Sequence, residues 1–176
     1  MHRMPNPPSP SPETWLQRAR QLVSSHKLDL STDEDLSLAV MNLISAEEHL
    51  FFSGSKTGDA TYYAQLAAVR QLRQHYLRQL LPRYDGEVWC TCKHLLSASM
   101  RLLEVGTKRQ EQDPDAAANC FRHAYALYAQ FWSLKLKMAG VDVPSAVPAT
   151  AAAPQPPTNQ AAVEEFLTKL VDCCGE

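Results

Sequence analysis

Between Ser31 and Met138, apolar residues recur every three or four positions in four successive stretches, each closed by a glycine or a proline. That spacing is the period of an α-helix, and a chain patterned this way buries its apolar sides by packing helix on helix. Six glycines in 176 residues leave little room for a loop-rich β-fold or a phosphate-cradling loop.

The first stretch predicts a helix over 31–52. Ser31-Thr32-Asp33-Glu34 fits a capping box, and Leu36, Ala39, Val40, Leu43, Ile44, Leu50 and Phe51 follow at helical spacing. Gly54 and Gly58 mark 53–59 as a turn. A second helix is expected over 60–81, stopped by Pro82, with Tyr62, Leu66, Val69, Tyr76, Leu77 and Leu80 as its stripe. A third runs over 87–105 after Asp85-Gly86, with Gly106 as its C-cap. The fourth opens at Asp113-Pro114, an acidic cap above a first-turn proline, and extends to about Met138 before Gly140. Short connections make consecutive helices antiparallel. The expected fold is all-α, an up-and-down four-helix bundle with short accessory helices at both termini.

Residues 1–12 hold five prolines and read as a disordered tail ahead of a bundle domain over 13–140. That domain begins with a short helix over 13–25 that sets Trp15, Ala19, Leu22 and Val23 on one side. Residues 141–160 form a Pro/Ala-rich linker. Over 161–176, Val163, Phe166, Leu167, Leu170 and Val171 keep helical spacing, so a C-terminal helix is expected to dock on its own bundle or on a neighbouring subunit.

Seventeen Lys plus Arg against nineteen Asp plus Glu give a net charge of −2, which disfavours a dedicated nucleic-acid binder. No apolar run reaches the ~18–20 residues of a membrane span, and the N-terminus carries no apolar signal segment. A cytoplasmic chain is expected, its five cysteines reduced rather than paired.

Charged residues fall on faces that should be apolar. Glu47 has Leu43, Ile44, Leu50 and Phe51 three and four positions away, and Glu48 has Ile44, Ser45, Phe51 and Phe52. A carboxylate there needs a cation, a metal or a proton. Arg73, among Val69, Tyr76 and Leu77, points partly inward, and Arg70 lies a turn earlier. Hairpin geometry brings both arginines within reach of Glu47, so a register-fixing ion pair is one reading and a polar site inside the bundle the other. On the third helix Cys90 and His94 share a face that continues through Ser97 or Ala98 to Arg101, with Glu104 one turn beyond.

Three chemistries can be weighed against these residues. A di-iron centre requires Glu-x-x-His on two helices, and the chain contains no such motif. Metal binding could draw on Cys90, His94, Cys173 and Cys174, but Cys90 and Cys92 project roughly 200° apart on a helix and the usual Cys-x-x-Cys pairing is missing. Arg70-Gln-Leu-Arg-Gln-His75 resembles the R-x4-H signature of the HEPN ribonuclease and toxin superfamily. That resemblance implies a dimer cleft where Arg70 holds the scissile phosphate of RNA and His75 serves as general acid–base. Nucleophilic triads, Walker loops and dinucleotide fingerprints do not occur.

The block VWCTCKHLLSASMRLLEVGTK, preceded by ISAEEHLFFSGSKTG and followed by FRHAYALYAQFW, resembles a small all-helical family of uncultured bacteria and archaea. The resemblance spans about residues 31–135 and implies a helical fold without assigning a catalytic residue. With no complete catalytic constellation and no cofactor motif, the expectation is a non-catalytic interaction or scaffold protein. It would associate with itself or with a protein partner, and not with a membrane.

Overall fold

The computed structural model describes residues 29–82 and 87–140, together with residues 17, 20–22 and 24. The fold is an all-helical bundle built on four long helices: α1 Leu30–Thr57, α2 Thr61–Leu80, α3 Val88–Arg109 and α4 Pro114–Met138. Among the described residues there is no strand. Gln17, Arg20, Gln21, Leu22 and Ser24 are helical, and Leu22 packs against the core, as the N-terminal accessory helix requires. The proline-rich head, the linker and the C-terminal segment lie outside the described residues.

Local chemistry sets the ends. The α1 cap is Asp29 rather than Ser31; its carboxylate accepts from Thr32 N at 3.1 Å. The earlier start buries Leu30 as well, which a cap at Ser31 would have left outside the helix. α1 also continues five residues past Phe52, and Gly58, left-handed at φ 71°, ends it. Gly54 is thus helical, not a turn residue. The ring of Tyr63 covers it so closely that a Cβ there would sit 2.9 Å from the ring. Asp113 caps α4 by accepting from Ala116 N at 3.0 Å, with Pro114 in the first turn, as the sequence predicts.

Gly106 corrects a second expectation. It is not the C-cap of α3 but a buried helical residue over which Phe121 of α4 is pressed. A Cβ at this position would lie 2.5 Å from the ring. Gly106→Ala should therefore cost about 1 kcal/mol in urea unfolding, overpacking exceeding the gain in helix propensity. Phe121→Leu in the same chain should recover part of that loss.

The helices form two hairpins, α1–α2 and α3–α4, joined most tightly at one end. That end holds Val40 and Met41 of α1, Leu77 and Leu80 of α2, Cys92 and Leu96 of α3, and Phe131, Trp132 and Leu136 of α4. Tyr128, Phe131 and Trp132 add stacked and edge-on ring contacts.

A buried ionic staple fastens this core. Lys135 of α4, 7% exposed at its side chain, meets Asp33 of α1 at 2.9 Å and donates to the Leu80 carbonyl at 2.7 Å. One ammonium thus ties the first turn of α1 and the last turn of α2 to α4. Burial pushes the Asp33 carboxyl up and the Lys135 ammonium down, each against the attraction of the other. The pair therefore fixes how the elements sit while contributing little net stability of its own. Cys92 lies near the same ammonium; burial raises its thiol to about 11 and holds it protonated. Ser37 shares a 2.7 Å hydrogen bond with Tyr128, and Ser99 donates to the Ala124 carbonyl at 2.8 Å.

Away from that end the hairpins separate. Phe51 and Phe52 of α1, Tyr63 of α2 and Leu103 and Val105 of α3 are left exposed. The polar residues singled out by the sequence lie where the two regimes meet.

Candidate functional site: an ion-floored groove between the hairpins

Glu47 stands at the bottom of an open groove of about 720 Å³, lined by α1, α2 and α3. The α1 stripe directs its carboxylate toward α2, where Arg70 and Arg73, three residues apart, share a face. Arg73 Nε donates to Oε1 at 2.5 Å and Arg70 Nε to Oε2 at 2.9 Å. Both carboxylate oxygens are therefore satisfied, each by its own arginine. Burial alone would raise the Glu47 carboxyl, but the hydrogen bonds from Arg73 and Arg70 outweigh it and hold it below its ordinary value. Arg73 is 8% exposed at its side chain and Arg70 53%, so one arginine belongs to the interior and the other reaches the mouth.

Ile44, Phe51, Phe52, Leu66 and Trp89 form the apolar walls. On α3, Lys93 and His94 look into the same space, beside Ser97. Neither the Lys93 nor the His94 side chain has a hydrogen bond or ion pair among the described residues. The exposed Arg70 spends only its Nε on Glu47. The groove thus carries apolar walls, a floor in which two arginines meet one carboxylate, and a rim where the Lys93 ammonium has no ion pair and Glu48 only approaches Arg101.

Glu48 also lines the groove, and from there it faces Arg101 of α3. Arg101 donates to Ser45 Oγ at 2.5 Å and approaches Glu48 at 3.6 Å, too far for a hydrogen bond. Both side chains are about two-fifths exposed, so this pair is a weak clasp. Glu104 lies beyond it on α3, half-buried, and joins neither group. Glu47, Glu48, Arg70, Arg73 and His94 therefore line one groove, which Arg101 meets only through Glu48.

The R-x4-H residues part company. Five positions along a helix rotate a side chain by roughly 140°, which sends them to different faces. Arg70 faces the groove, whereas His75 is exposed, shares a 2.9 Å hydrogen bond with Gln79 and packs edge-on against Tyr76.

For a metal, Cys90 and His94 are both exposed on α3, Cys92 points into the core, and Cys173 and Cys174 lie outside the described residues. Among the described residues no three His, Cys, Asp or Glu side chains gather as an ion would need. Among them also, no helix is long and apolar enough to cross a membrane.

The sequence reading missed Lys135, although its helical neighbours Phe131, Trp132, Met138 and Ala139 are all apolar. It also missed the rim role of Lys93, since nothing local distinguishes a lysine that faces a groove from one that faces solvent. No family model, curated protein or solved structure matches this chain.

Proposed function

We propose that this chain is a non-catalytic association protein whose groove receives an amphipathic helix with acidic flanks from a protein partner. The observation that carries the reading is the juxtaposition of apolar walls with the unpaired ammonium of Lys93 and the half-used guanidinium of Arg70. A helix laid in such a groove buries its apolar stripe, while its acids meet the rim. The Glu47–Arg73 floor suits a receptor more than a catalyst. Both oxygens of its carboxylate are engaged by arginines. Self-association is the narrower form of the same proposal, favoured by the exposed Phe51 and Phe52 at the open end. RNA cleavage has less support, because His75 does not share the groove with Arg70.

Selection of a displayed library of helical peptides on the immobilised full chain tests this. Enriched sequences should combine an i, i+3, i+4 apolar stripe with flanking acids and should lose binding to a Phe51→Asp/Lys93→Glu chain. Absence of enrichment, or enrichment indifferent to those substitutions, would overturn the proposal.

A further inference from the structure

We infer that the groove is covered in cis by residues 161–172 of the chain itself, and that a partner helix binds by displacing them. This rests on the groove being a helix receptor, and it adds the identity of the resident segment and its regulatory consequence.

Three observations converge on that segment. First, Val163, Phe166, Leu167, Leu170 and Val171 keep the i, i+3, i+4 spacing that one helical face requires. Second, the charges complement each other. The segment carries Glu164, Glu165 and Asp172 against a single Lys169, whereas the groove sets Arg70, Arg73 and Lys93 against Glu47 and Glu48 and is left net positive. Third, the connection has the right length. Gly140 follows the end of α4 at the tightly packed end of the bundle, the end where α3 begins and Trp89 lines the groove.

Residues 141–160 separate Gly140 from the segment. Twenty residues span roughly 25 Å as a flexible chain and up to ~60 Å as an extended Pro-rich one. The groove lies within that range. A tether of this kind presents its segment at an effective concentration on the order of 1 mM. A second copy at micromolar concentration competes with that at a disadvantage of about a thousandfold, so the chain's own segment is favoured over a neighbour's.

The consequence is self-gating. If the segment alone binds at about 0.1 mM, the tether keeps the groove about nine-tenths occupied and weakens any partner helix about tenfold. A partner then needs a better stripe or more acids than the chain supplies itself.

Placing a benzoylphenylalanine crosslinker at Phe166 of the full chain and irradiating at micromolar concentration tests the inference. Crosslinks mapped by mass spectrometry should fall within single chains and on groove residues such as Phe51, Phe52, Leu66 and Trp89. They should vanish when Leu167→Asp and Leu170→Asp are added. Crosslinks to the outer faces, crosslinks only between chains, or no crosslinks would each overturn it. The peptides selected above separate this failure from failure of the groove reading. On the Leu167→Asp/Leu170→Asp chain they should bind about tenfold tighter than on the unaltered chain. Unchanged, groove-dependent binding would remove the resident segment and leave the receptor standing. No binding to either chain would remove both.

Discussion

Lys135→Met should destabilise the fold by about 3 kcal/mol in urea unfolding, and Asp33→Leu in the same chain should restore most of that loss. Removing one partner of a buried pair leaves the other charged and unpaired, whereas removing both exchanges a costly desolvation for packing. The single substitution leaves Asp33, 16% exposed at its side chain, without its cation and the Leu80 carbonyl without its donor. Asp33 limits the damage by taking up a proton, since burial already pushes its carboxyl upward. A double variant as unstable as the single one would show that the staple itself, and not its imbalance, supports the bundle. A single variant within about 0.5 kcal/mol of the parent would show that the ammonium is hydrated in solution.

The groove floor should respond more sharply still. Glu47→Ala strands Arg73 in the interior with an uncompensated charge, at an expected cost of about 3–5 kcal/mol. Glu47→Gln, which retains an acceptor oxygen, should cost less. Acid titration adds a check with a defined sign. The folded Glu47 carboxyl lies below its ordinary value of 4.5, so its contribution is fully present above about that pH. It should decline as pH falls toward the depressed value. Asp33 acts in the opposite direction, because a raised carboxyl favours the folded state as it protonates. The difference between the parent and Glu47→Gln isolates the Glu47 part. That difference should shrink as acid is added, and one that stays constant from neutral pH to pH 3 would contradict the ion-paired floor.

Much of this architecture is legible in the residues. Four helices, their order and the Asp113-Pro114 start follow from periodicity and capping chemistry, which are local. The Glu47 partnership is legible as well: a carboxylate amid Leu43, Ile44 and Leu50 needs a cation, and Arg70 and Arg73 sit at the matching height of the next helix. What stays hidden is non-local. Gly54 and Gly106 look like breakers until Tyr63 and Phe121 are seen pressed against them. The Ser31 capping box gives way to a cap at Asp29, and burial of Leu30 accompanies the earlier start. Neither the separation of the hairpins at one end nor the position of Lys93 on the rim has a signature in any single helix. Both depend on how one hairpin leans against the other.

A charge-swap titration tests the receptor reading most directly. An acidic helical peptide selected on the Leu167→Asp/Leu170→Asp chain should bind at least about tenfold more weakly after Lys93→Glu, a difference of about 1.4 kcal/mol. Replacing the peptide's acid that faces the rim with lysine should recover most of that loss. Affinity that ignores the reversal at Lys93, or a swapped peptide that recovers nothing, would contradict a groove that reads its ligand by apolar walls and a cationic edge.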